Sequence, residues 1–150
     1  MITTEQIKQL RDETGVSVMQ CKQALEEAGG DTEKAKVILR KISKSSAEKK
    51  SGRTLSAGAV VAYVHNNGAI GAMMELLCET DFVARNEEFK VLARDIAMHI
   101  AAMSPENTEE LLGQEFIKDG GVTIKNLLEQ ATQKFGERTE IGQFARFSIK

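Results

Sequence analysis

The chain has 150 residues, 41% hydrophobic and 28% charged, with a formal net charge of −2 and a pI near 5.8. That length allows one or two small domains with a real core, and the mild acidity argues against a broad nucleic-acid footprint, which needs clustered basic charge. Cys21 and Cys78 give no disulfide framework; no signal peptide begins the chain and no apolar run reaches membrane length, so a cytoplasmic protein without a membrane partner is expected.

Residues 1–45 read as three short helices. Thr3 and Gln6 have capping-box spacing, Ile7 and Leu10 share a face, and Gly15 is the stop. Ser17 and Gln20 repeat that spacing ahead of Cys21, Ala24, Leu25 and Ala28, and Gly29-Gly30 closes the run. Asp31 caps a third helix with the apolar set Ala35, Ile38, Leu39 and Ile42. Stripes this short find cover only against one another, so a miniature bundle with its own small core is expected. Residues 41–53 are rich in lysine and serine. Within them the sequence predicts a linker over 46–54, read as a solvated tether in preference to a phosphate contact.

From Leu55 the period becomes that of a strand. Val60 to His65 and Ala69 to Glu79 flank Asn66-Asn67-Gly68, a hairpin signal. Ile70, Ala72, Met74, Leu76 and Cys78 share the apolar face of the second strand. The register stays open between a two- and a three-residue loop, which would invert the first strand's faces. Thr80-Asp81-Phe82-Val83-Ala84-Arg85-Asn86 follows as a short connection. Asp81 reads as a turn cap. Phe82 reads either as a plug between hairpin and helix or as a ring offered to a partner, and local sequence leaves both open.

Asn86 caps a long helix with Glu87 and Glu88 in its first turn; Phe89, Leu92, Ala93, Ile96, Ile100 and Met103 form its stripe and Pro105 ends it. A shorter helix is expected over 108–118, stopping at Gly120-Gly121, and another over 122–135 with Gly136 as its stop. A last strand spans Glu140 to Ile149, with Ile141, Ala145, Phe147 and Ile149 on the core face and Phe144 on the other. The second module, 55–150, is thus β-β-α-α-α-β. The fold class is α+β, with a small, mainly antiparallel three-stranded sheet covered by helices on one side. Met73, Leu77 and Phe144 would leave the far face apolar, to be covered by a second copy of the chain or by helix 108–118.

Chemistry-bearing motifs are sparse. His65 and His99 have no cysteine or carboxylate at a metal-ligand spacing, and the glycine pairs end helices instead of opening a phosphate loop. No cofactor, metal or covalent catalysis is expected, so the protein reads as a binding protein and not an enzyme.

Three stretches carry a family resemblance. They are Leu10-Arg11-Asp12-Glu13-Thr14-Gly15, continuing to Met19, Cys21-Lys22 and Ala24-Leu25; then Cys78-Glu79-Thr80-Asp81-Phe82-Val83-Ala84-Arg85; and Gly136-Glu137-Arg138-Thr139-Glu140-Ile141. In order and spacing they resemble the signatures of the elongation factor Ts family, guanine-nucleotide exchange factors for elongation factor Tu. The resemblance implies a ubiquitin-associated-like first module that docks on the partner's nucleotide-binding domain through Leu10, Arg11, Thr14, Gly15, Val18, Met19 and Lys22. It implies that Thr80, Asp81, Phe82, Val83 and Ala84 form the exchange element. Asp81 and Phe82 would enter beside the partner's magnesium site, with Phe82 in an apolar slot, and so loosen GDP. Val16-Ser17-Val18, Gln20 and Arg138-Thr139 depart from the family's pattern. Longer members carry a second related subdomain and often a coiled coil; the resemblance implies a short form that pairs with a second copy. Two other readings compete. One is a ubiquitin-associated-like adaptor without exchange activity, which has no use for an outward Asp81-Phe82 pair. The other is an RNA binder using Lys41 to Arg53, against which the acidity and the lack of interleaved aromatics weigh.

Overall fold

Three N-capped helices open the chain in the computed structural model, which describes residues 1–149. They are α1 (Thr4–Thr14), α2 (Val18–Glu27) and α3 (Thr32–Lys50). Thr3 and Gln6 form the reciprocal box: Thr3 Oγ1 accepts from Gln6 N at 3.1 Å and Gln6 Oε1 accepts from Thr3 N at 3.0 Å. Ser17 and Asp31 accept from Gln20 N and Lys34 N. Each cap satisfies an orphan amide and is worth about 1 kcal/mol. Leu10, Val16, Cys21, Ala24, Leu25, Ala35 and Leu39 close into a core of their own.

The third helix is longer than its apolar set predicts. It continues to Lys50, so residues 46–50 of the expected linker are helical. Ile42 is exposed and Ser43 is buried instead. The cause is packing: the second half of α3 leaves the small bundle and lies against α7 (Ile124–Phe135), where the Ser43 hydroxyl donates to Gln133 Oε1.

The second module is built on an antiparallel sheet of order β1-β2-β5, with β1 at Ala57–Val64, β2 at Ile70–Cys78 and β5 at Glu140–Ser148. The hairpin loop is neither of the two expected lengths. His65 N donates to Ile70 O at 2.9 Å and Gly68 takes φ 74°, which leaves 66–69 as the loop and sets Tyr63 opposite Ala72. This register puts Ala57, Val61 and Tyr63 on the side of Met74, Leu76 and Cys78, packed with α5 (Glu87–Met103) and α7. Phe89 and Phe135 meet there, ring centroids 5.7 Å apart.

Two further expectations fail. First, the helix expected over 108–118 ends early: α6 covers only Thr108–Gly113. Gln114 then turns extended, and a small hairpin of β3 (Glu115–Phe116) and β4 (Asp119–Thr123) follows, with Phe116 driven into the main core. Gly120 and Gly121 therefore sit in a strand. Leu111 of α6 joins the same core, so this helix does not cover the far face of the sheet. Second, Phe144 lies on the core face. Met74 pairs with Phe144 but Leu76 pairs with Ile141, so β5 carries one extra residue at Gly142-Gln143. The bulge inverts every side chain after it. Phe144 packs against the main core, and Phe147, expected inward, is 75% exposed. The larger apolar side chains left on the open face by the strands are Val60, Val64, Met73 and Phe147, with Leu77 half-buried among them; Ala145 and Ile149, expected inward with Phe147, are exposed too.

Candidate functional site

The segment after β2 is built to hold one turn still. Cys78 closes the strand with a fully buried thiol whose Sγ donates to Thr80 O at 3.3 Å. Burial, reinforced by the nearby Glu137 carboxylate, pushes that thiol's pKa up. Thr80 is extended and caps α4 (Asp81–Ala84), its Oγ1 accepting from Val83 N at 3.4 Å. Four residues are too few to form a helix unaided, because the nucleus costs more than it returns. This turn persists because Thr80 caps it and because Val83 and Ala84 are 6% and 7% exposed against the core. With those two facing in, the neighbouring side chains face out. Asp81 is exposed, and Phe82 is 87% exposed. The ring is thus no plug: it stands in solvent on a fixed turn.

Partners from distant parts of the chain hold the root of this turn. Glu137, just past the left-handed Gly136 that ends α7, accepts from Glu79 N at 3.1 Å and Thr80 N at 3.0 Å through Oε1. Its Oε2 accepts from Thr80 Oγ1 at 2.7 Å. Glu79 Oε2 accepts from Arg138 N at 2.5 Å and lies 3.6 Å from Arg53 Nη1, while Arg138 Nη1 donates to Arg53 O at 2.7 Å. No sequence signal links positions so far apart, and Glu137 was visible only as part of a motif.

The expected docking residues of the first module divide. Arg11, Val18, Met19 and Lys22 are exposed, the last three on one helix, α2. Leu10 is fully buried in the bundle core, so in this fold it is a packing residue and not an accessible contact. Thr14 is half-buried and its hydroxyl donates to Leu10 O at 2.7 Å. Gly15 takes φ 71° as the cap of α1, and a Cβ there would come within 3.1 Å of Lys134 Cδ, so it faces α7. Gln20, one of the departures from the family pattern, is used within the chain: its Oε1 accepts from Gln133 Nε2 at 3.2 Å. Gln133 also binds Ser43, and Lys134 pairs with Glu88 at 2.6 Å. Helix α7 thereby ties α2, α3 and α5 together.

His99 is buried, which lowers its pKa; its Nδ1 accepts from Ile117 N at 3.3 Å and its Nε2 lies 2.9 Å from Gln114 Oε1. That geometry describes a neutral ring stapling the β3-β4 hairpin to α5. His65 lies 3.1 Å from Tyr63 Oη at the end of the long hairpin. Among the described residues no group of three or more histidines, cysteines or carboxylates is set to hold a metal ion, and no helix is long and apolar enough to cross a membrane.

The fold and the site define an α+β protein with two separate cores that presents an aromatic side chain on a capped turn, held by Glu137 on one side and by Val83 and Ala84 on the other. Residues 79–150 match the family model described as elongation factor TS. The chain is 40% identical to elongation factor Ts of Fervidobacterium nodosum, the match covering 99% of this chain and 98% of that protein. Identity is also 40% to elongation factor Ts of Carboxydothermus hydrogenoformans, over 99% of this chain and 89% of that protein. With elongation factor Ts of Clostridium acetobutylicum it is 46%, over 99% of this chain but 48% of that protein. The chain belongs to the elongation factor Ts family, and so to the factors of translation elongation. The Fervidobacterium match runs over 193 positions, more than this chain has residues, so that relative carries segments inside the match that this chain lacks.

Proposed function

We propose that this protein promotes guanine-nucleotide exchange on elongation factor Tu in the cytoplasm. The observation that carries the proposal is Phe82, 87% exposed on a capped turn with Asp81 beside it. A soluble domain gains nothing from holding a phenylalanine in water on a rigid support; a partner's apolar slot gains a pre-ordered anchor whose conformational cost is already met. Arg11, Val18, Met19 and Lys22 supply a second contact, and family membership supports assigning both to the same GTPase.

The mechanism is coupling, without a covalent step. Docking through α2 brings Phe82 and Asp81 to the nucleotide site, and binding favours a partner conformation that holds magnesium and GDP poorly. By linkage, a factor that weakens GDP weakens its own binding in the presence of GDP by the same ratio. No nucleic acid, membrane or cofactor enters this scheme. The open face of the sheet, with Val60, Val64, Met73 and Phe147 exposed, favours a second copy of the chain as its cover, giving a dimer that offers two exchange turns.

Release of labelled GDP from elongation factor Tu, with and without the protein, tests the proposal. Acceleration by wild type and its loss in Phe82→Ala is the expected result. Tight binding to the GTPase with no acceleration would instead identify an adaptor.

A further inference from the structure

The Gly136-Glu137-Arg138 motif lies outside the proposed contact surfaces, yet its carboxylate meets the root of the exchange turn. We infer that Glu137 is a positioning residue that holds Phe82 in its exchange-ready orientation; the inference rests on the exchange activity proposed above.

The geometry is specific. A carboxylate has no proton to give and accepts at both oxygens. Oε1 takes the backbone amides of Glu79 and Thr80, and Oε2 takes the Thr80 hydroxyl proton. A hydroxyl has a single proton. Once that proton points at Glu137, the lone pairs of Thr80 Oγ1 are free to face Val83 N, where they cap α4. Glu137 thus sets the rotor of the residue that caps the turn. It also pins two successive amides at the point where β2 ends and the ladder no longer holds the chain.

The support is itself rigid. Gly136 takes φ 73° and ends α7, turning the chain back toward β2. Thr139 Oγ1 donates to Glu137 O at 3.1 Å and Thr139 N donates to Thr132 Oγ1 at 3.3 Å, which fixes the backbone on which Glu137 stands. Val83 and Ala84 anchor the far side of the turn in the core. Between these two anchors Phe82 has little freedom except rotation of its own side chain. Without Glu137, the Thr80 hydroxyl and both amides turn to water, the cap is no longer oriented, and the ring samples directions that miss the slot.

The test combines two measurements on the full chain. In amide hydrogen exchange, Glu137→Ala is expected to speed exchange at Val83 and Ala84 at least tenfold, with Ile96 and Ala97 of α5 unchanged. In GDP release at saturating factor, Glu137→Ala is expected to lower the maximal rate about tenfold, while the factor concentration giving half that rate moves less than threefold. In a Phe82→Ala background, Glu137→Ala should cost almost nothing more, since a positioning residue has nothing left to position. Equal additional loss in both backgrounds would mark a merely structural residue and overturn the inference, as would unchanged amide exchange at Val83 and Ala84. A wild-type chain that releases no GDP would overturn the proposed function itself while leaving the amide result to report on the clamp. If Glu137→Ala fails to fold, Glu137→Gln takes its place: it keeps the shape but presents a donor where Thr80 Oγ1 needs an acceptor. At least threefold faster exchange at Val83 is then expected, and no change overturns the inference.

Discussion

Replacing Phe82 by alanine should leave the folded state nearly as stable as before, and this separates an offered ring from a core plug. Phe82 is 87% exposed. A phenylalanine side chain has roughly 200 Å² to bury, so about an eighth of it, some ~25 Å², is covered here. At about 25 cal/mol per Å² the loss is ~0.6 kcal/mol. Alanine returns a few tenths of that through its better helix propensity in α4. The net change should fall below about 0.5 kcal/mol, inside the range of ordinary surface substitutions. Phe89 supplies the contrast: it is fully buried and packed on Phe135. Phe89→Ala removes a comparable side chain from the core and should cost about 3–5 kcal/mol. Urea unfolding followed by circular dichroism measures both. A loss above about 2 kcal/mol for Phe82→Ala, with an unchanged m-value, would mean that the ring packs in solution, and the reasoning from its exposure would be wrong.

Further consequences can be checked with simple assays. His99 is neutral when folded because burial lowers its pKa, so the unfolded chain binds the proton more readily. That contribution to stability is fully present above the ordinary histidine range and is lost as pH falls below about 6.5. His99→Gln should flatten the urea midpoint between pH 7.5 and 5.5; an equally steep decline in the variant would refute the assignment. Cys21 and Cys78 are both buried, with thiol pKa values pushed up by burial, so a thiol reagent at pH 8 should label the native protein far more slowly than the urea-unfolded chain. Rapid labelling of either in the native state would contradict the packing. Sedimentation at high micromolar concentration should show a dimer that Phe147→Asp dissociates; a strict monomer for wild type would count against pairing through the open face.

How far the sequence discloses this molecule depends on whether the deciding contact is local. Caps are local, and Thr3-Gln6, Ser17, Asp31 and Asn86 all cap the helices that their spacing announces. The two buried cysteines and the α5 stripe from Phe89 to Ile100 follow from period for the same reason, whereas Met103, expected in that stripe, is 44% exposed at the helix end. Phe144 was misplaced because one extra residue in β5 breaks a period of two. Gly142 inside a strand pattern was the available signal, since a lone glycine there often marks a bulge. A Cβ at Gly142 would come within 2.6 Å of Glu75 Oε1, which explains why glycine fits. The β3-β4 hairpin was illegible because β3, Glu115–Phe116, is too short to show a period. Leu10 reads as a docking residue only by resemblance; its position in the α1 stripe already pointed inward, and burial agrees with the stripe. Glu137 lies 58 and 57 residues from the amides that it accepts, and nothing short of tertiary structure brings them together.

The most direct test is the rate of labelled-GDP release from elongation factor Tu at saturating factor, compared between wild type and Phe82→Ala. A buried aromatic anchor is worth about 2–4 kcal/mol on truncation, so a fall of at least tenfold is predicted, in a variant whose unfolding midpoint matches wild type. Full exchange activity from a folded Phe82→Ala protein would contradict the central claim.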